Sequence, residues 1–227
     1  MKKESFWHKS AQQQWDEKAE FWHQSSENMW EKGSRKDIIP FFRKFVGIGS
    51  KVADIGCGDG YGSYKLSQLQ YKVTGIDISA EMIKRANQRK SGIPLTFEVG
   101  DIIDLPLASN SFDAVMAINS LEWTALPVKA VKEIRRIVKP GGHLCVGILG
   151  PTATPRGNSF QRLYGEDVIC NTMMPWEFRK LAENIGFNVI DGLGVYKEGV
   201  TSSHTKHLPE ELKQALTFMW VFILKKV

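Results

Sequence analysis

Three acids stand where apolar runs end. Val52-Ala53-Asp54-Ile55 enters Gly56-Cys57-Gly58-Asp59-Gly60, Val73-Thr74-Gly75-Ile76 ends in Asp77, and Leu95–Val99 runs into Gly100-Asp101-Ile102. Alternating glycines permit a tight turn and let backbone N–H groups approach a ligand. Asp77 follows the glycine turn at the distance where a carboxylate can accept both hydroxyls of a ribose. Its competing reading is a cap before Ser79. Asp101 is placed to accept from an adenine amino group, with the N–H near Ile102 serving the ring, unless it makes only an ordinary loop turn. Ile78 offers an apolar surface to the base, whereas Met82 falls at helical spacing and reads as core.

The glycines do not fit a dinucleotide fingerprint. Gly-x-Gly-x-x-Gly counted from Gly56 meets Tyr61 at its third position, and counted from Gly58 it meets Ser63. Asp54 also argues against a pyrophosphate, which it would repel. It would instead orient an ammonium group, directly or through water. S-adenosylmethionine has an α-ammonium, a sulfonium and no phosphate, so the charge pattern selects it. The alternative for Asp54 is to pin the glycine turn through backbone hydrogen bonds.

Strands are expected at 51–55, 72–76, 95–99, 112–117, 143–149, 187–196 and 216–225. Helices are expected at 11–30, 38–46, 61–69, 80–89, 127–138 and 175–184. Val128, Val131, Ile134, Ile137 and Val138 recur every three to four residues, the spacing of a sheet-covering helix, and Lys139-Pro140-Gly141-Gly142 ends it. Alternating strands and helices imply an α/β chain with a mostly parallel sheet covered on both faces. Three segments follow: 1–34 as an N-terminal helical extension, 35–150 as the binding core, and 151–227 as a substrate-side excursion with the last two strands. The extension holds Trp7, Trp15, Trp22 and Trp30. It either docks by burying rings or also roofs the pocket.

With these motifs the chain resembles the class I S-adenosylmethionine-dependent methyltransferases. Within them it is similar to the small-molecule group that includes the ubiquinone/menaquinone biosynthesis enzymes. Val52–Gly60, Gly75–Ser79, Gly100–Pro106, Asn110–Val115 and Val138–Gly142 carry the likeness. It implies a Rossmann-like seven-stranded sheet with an antiparallel last strand and the cofactor at the carboxyl ends of the early strands. Asp54, Gly56 and Gly58 would then lie by the methionine moiety, Asp77 and Ile78 by the ribose and base, and Asp101 and Ile102 around adenine. Arg35 would meet the cofactor carboxylate, and Asn119 would pass beneath the sulfonium. Many relatives have a histidine after the acid of this loop; here Trp123 follows Glu122. Glu122 is therefore the candidate base, with an orienting or purely structural role as the alternative. Trp30, Trp123, Met174 and Trp176 are the candidates for contact with the acceptor.

Methyl transfer from a sulfonium is an in-line substitution, so the protein mainly aligns the nucleophile and excludes water. No metal is expected, and His143, His204 and His207 lack ligand spacing. No Asn/Asp-Pro-Pro-Tyr/Phe or Pro-Cys motif occurs, which favours a small aromatic or apolar acceptor over a nucleic acid. The alternatives are an RNA or protein methyltransferase, an NAD-dependent enzyme, or a non-catalytic binding protein. The net charge of +5, with 30 basic and 25 acidic residues among 227, is weak support for nucleic acid. The longest strongly apolar run, Phe218–Leu224, is too short for a bilayer. With no leader pattern and three cysteines, the expectation is a cytoplasmic monomer or homodimer.

Overall fold

The computed structural model describes residues 2–89 and 94–227. Seven strands form one sheet in the order β3-β2-β1-β4-β5-β7-β6. They are β1 (Lys51–Ile55), β2 (Lys72–Asp77), β3 (Leu95–Val99), β4 (Phe112–Ile118), β5 (Val138–Leu149), β6 (Phe187–Tyr196) and β7 (Thr217–Lys226). The first five pair in parallel, and β7 runs antiparallel to both β5 and β6. The order reverses between β1 and β4, and such a switch point opens a crevice at the carboxyl ends of the strands.

Side chains alternate between two cores, as the pleat requires. Ala53, Ile55, Val115, Ala117, Leu144 and Val146 face one layer, which α5 (Pro127–Ile137) and α6 (Pro175–Asn184) cover. Val52, Ala114, Met116 and Cys145 face the other, beneath α2 (Ile38–Phe42) and α3 (Tyr61–Gln68). The helix after β2, α4 (Ala80–Ala86), begins at Ser79, whose side chain accepts from Met82 N. The extension is one continuous helix, α1 (Lys2–Glu31), which starts earlier than the sequence pattern suggests.

Three details depart from expectation. The helix before β5 ends where predicted, but the strand begins at once. Its register passes from Phe112↔Val138 to Ala114↔His143, so Lys139–Gly142 bulge out of the ladder with Gly141 at φ +74°. The stretch 198–207, expected as loop, contains the short turn α7 (Ser202–Thr205), started by Thr201 N donating to His204 Nδ1 at 3.1 Å. A further helix, α8 (Glu210–Ala215), follows Pro209. Among the described residues no helix is long and apolar enough to cross a membrane.

Candidate cofactor and acceptor site

The glycine turn after β1 is tied to the next strand. Gly56 N and Cys57 N both donate to Ile76 O, at 2.7 and 3.0 Å. Gly56 has φ +73°, and a Cβ there would lie 2.4 Å from Ser120 Cβ, so only glycine lets the turn meet the end of β4. Asp77 ties this turn to the one that follows β2. Its Oδ2 accepts from Gly58 N at 2.8 Å and its Oδ1 from Ser79 N at 2.9 Å. Each oxygen keeps a lone pair, and burial raises the pKa of the carboxyl.

One cavity opens over these tips. Arg35, Gly56, Gly58, Asp77 and Ile78 line it together with Asp101, Ile102, Asn119 and Trp123. Asp54 does not. It is buried beneath the glycine turn, accepting from Ser63 Oγ at 2.6 Å, and burial pushes its pKa up to about 7 against the opposing effects of Ser63 and the Arg35 charge. The partner of Asp54 is a side chain of α3, so the geometry shows neither a place on the cavity wall nor the backbone hydrogen bonds of the pinning alternative. Arg35 lies beside Trp22 and Trp30, at 6.0 and 5.6 Å from their ring centroids. Among the described residues no carboxylate is within ion-pair distance of it, which leaves a guanidinium on the cavity wall to receive an anion. Desolvation lowers its pKa, with Asp54 and Asp59 acting in the opposite direction.

α1 crosses the same strand ends. Asp16 Oδ1 accepts from Ser79 Oγ at 2.5 Å and from Glu81 N at 3.2 Å, supporting the start of α4. His23 Nδ1 and Ser26 Oγ reach Asp59 Oδ2 at 2.9 and 2.7 Å, and Arg89 binds the same oxygen. His8 Nδ1 lies 2.7 Å from Asp101 Oδ2. Trp7 Nε1 donates to Trp123 O at 2.8 Å, while Trp123 Nε1 donates to Asn119 O at 2.8 Å. Trp15 stands edge-on to Trp123 at 5.1 Å and tilted to Trp22 at 5.9 Å, and all three line the cavity. The helix therefore both docks on the sheet end and contributes cavity wall.

Four expected contacts fall elsewhere. Glu122 is fully buried and off the cavity wall, because the 3-10 turn Leu121–Trp123 rolls it inward to accept from Leu149 N at 2.6 Å. Burial pushes its pKa up to about 7, and the nearby Arg156 charge opposes this. This makes Glu122 structural rather than a base in contact with an acceptor. Trp30 is 4% exposed and packs with Ile38 and Phe42; a Cβ on Gly62 would lie 2.4 Å from its ring. Met174 and Trp176 open α6 outside the cavity, where Met174 N donates to Glu177 Oε2 at 2.7 Å. Leu149 and Pro155 line the cavity instead.

Sequence reasoning missed His8, Asp16 and Asp59. Asp59 sits inside the glycine motif, so its position was a usable signal, but His23 and Ser26 reach it from a helix more than thirty residues upstream and Arg89 from 30 residues downstream. Two buried polar atoms at the end of β4, Asn119 Oδ1 and Ser120 Oγ, have no hydrogen-bond partner, and both residues line the cavity. Paired acids at the tips of β2 and β3, an uncommitted guanidinium, and orphaned polar atoms at the tip of β4 fit a carboxylate-bearing adenosine derivative without phosphate.

The fold is that of the class I S-adenosylmethionine-dependent methyltransferases, and residues 53–146 match the family model described as a methyltransferase domain. S-adenosylmethionine is the cofactor of this fold. The ubiquinone biosynthesis O-methyltransferase of Xanthomonas axonopodis pv. citri is 34% identical over 107 residues, 46% of this chain and 45% of that protein. The 27-O-demethylrifamycin SV methyltransferase of Amycolatopsis mediterranei is 33% identical over 114 residues, 48% of this chain and 42% of that protein. The chain thus spans about half or less of the length of the curated relatives it matches. Among solved structures, a chain from a complex between the Haloferax volcanii Trm112 methyltransferase activator and a methyltransferase superposes with a TM-score of 0.73. It is 22% identical, with 95% of this chain and 96% of that one covered.

Proposed function

We propose that this protein transfers a methyl group from S-adenosylmethionine to a small, flat and largely apolar acceptor. The carrying observation is a single cavity wall that combines Asp77, Asp101 and a guanidinium without a carboxylate partner. When bound, the cofactor supplies an electrophilic methyl group on sulfur. Arg35 holds its carboxylate, Asp77 its ribose hydroxyls, and Asp101 with the Ile102 N–H its adenine, which Ile78 covers. Gly56 and Gly58 let the backbone approach closely. Asn119 and Ser120 offer polar atoms at the tip of β4, where the acceptor meets the cofactor. Trp15, Trp22 and Trp123 present apolar rings there, which align a flat acceptor and exclude water.

The three free cysteines support placing the protein in the cytoplasm, where it works as a monomer or homodimer. Isothermal titration with S-adenosylhomocysteine and with NAD tests the reading. Binding of S-adenosylhomocysteine alone is the expected result, and selective binding of NAD would reverse it.

A further inference from the structure

Two tryptophan rings hold the Arg35 guanidinium. Among the described residues no oxygen accepts from its five N–H groups, and its neighbours are Trp22 and Trp30, whose ring centroids lie 6.0 and 5.6 Å from Cζ. Asp54 and Asp59 act on it through charge alone. A guanidinium held against a ring face keeps the edge of its N–H fork free for a planar anion.

The backbone of Arg35 is fixed independently of its side chain. Lys32 N and Gly33 N donate to Asn28 O at 3.0 and 2.8 Å, and Arg35 N donates to Met29 O at 3.0 Å, so the chain folds back on the last turns of α1. A Cβ on Gly33 would lie 2.9 Å from Met29 Cα, which keeps this turn tight. Without the rings, the long side chain beyond it would sample many rotamers, and ordering them when a ligand binds costs free energy. Trp30 bounds the guanidinium on the core side, packed with Ile38 and Phe42. Trp22 stands eight residues before Trp30 on α1 and bounds it on the cavity side, where Trp15 backs the ring at 5.9 Å. Loss of Trp30 would leave this cavity-side ring in place.

We propose that Trp22 positions the Arg35 guanidinium for the α-carboxylate of the cofactor, and that this ring thereby makes the site select a ligand with a free carboxylate on its amino-acid tail. The inference rests on the cofactor reading above, and it gives Trp22 a second task beside its place in the acceptor wall. Trp22 is a positioning residue in this task, since it acts on the ligand through Arg35.

The test titrates the full chain with S-adenosylhomocysteine and with its decarboxylated analogue, in which an aminopropyl chain replaces the amino-acid tail. Wild-type protein should prefer the carboxylate ligand by about 10- to 100-fold. Trp22→Leu should reduce that preference about three- to tenfold, and Trp22→Phe, which keeps a π face, should retain most of it. A merely structural role would weaken both ligands equally, so a preference unchanged in Trp22→Leu overturns the proposal. Should Trp22→Leu fail to fold, monofluoro- and trifluorotryptophan placed at position 22 keep the shape of the ring while drawing charge from its face. The preference should fall stepwise in that series, and a constant preference overturns the proposal. Wild-type protein that binds neither ligand sinks the cofactor reading and this inference with it, whereas equal binding of both sinks only the roles of Arg35 and Trp22.

Discussion

The two ends of the cavity are built in different ways. Around β2 and β3 the strand tips deliver Asp77 and Asp101, and Asp77 joins neighbouring turns through Gly58 N, three residues beyond β1, and Ser79 N, two residues beyond β2. Around β4 and β5 the wall sets Asn119 and Ser120 among rings and aliphatic chains from α1, the Leu121–Trp123 turn and the excursion after Gly150. The first end is made by local chain geometry and the second by docking of distant segments. An adenosine ligand, the same in every such enzyme, suits the rigid end, and a variable acceptor suits the assembled one.

The largest effect should come from testing where the assembled end stops. Trp30 belongs to the core and not to the cavity, so Trp30→Ala should cost about 3–5 kcal/mol of stability in denaturant unfolding. S-adenosylhomocysteine affinity, corrected for the folded fraction, should stay within about twofold of wild type. A stable variant with impaired binding would return Trp30 to the wall.

Glu122 provides the next test. Its pKa rises from 4.5 to about 7 in the folded protein, so the folded state binds its proton more tightly than the unfolded chain does. The associated stability is fully present below about pH 4.5 and is lost as pH rises through about 7, a change on the order of 3 kcal/mol. In Glu122→Gln this component should vanish. The difference in unfolding free energy between wild type and variant should therefore move in favour of the variant between pH 4.5 and 8. A constant difference across that range would show that Glu122 is ionised throughout.

At the rigid end, Asp77→Asn should weaken S-adenosylhomocysteine binding by about 10- to 100-fold, the worth of a charge-assisted hydrogen bond. Calorimetric titration checks this, and unaltered affinity would remove Asp77 from the ribose.

The same contrast explains what could be read from the chain. The glycines, Asp77 and Asp101 are legible because a strand, a turn and an acid lie together in sequence, and the sheet order then brings them together. Apolar runs likewise marked the strands, the fourth only weakly, with ends shifted by up to five residues. Asp59 was passed over because His23 and Ser26 reach it only after α1 docks. Glu122 misled because a three-residue 3-10 turn decides whether its side chain faces the cavity or Leu149 N, and no local signal separates the two. Trp30 and Trp22 lie on one helix, yet the first packs under α3 and the second lines the cavity, a distinction made only when α1 docks.

Arg156 gathers three carbonyls from the two ends of the excursion: Leu149 and Gly150 where the chain leaves β5, and Met173 where it returns to α6. One guanidinium thus clasps the base of the loop, while Phe160, Leu163 and Tyr164 sit exposed near its apex. Insertions or exchanges within the apex need not disturb the sheet, since the clasp below them is unaltered. The excursion is in this sense an exchangeable cassette, through which new acceptors could be acquired while the adenosine end stays as it is.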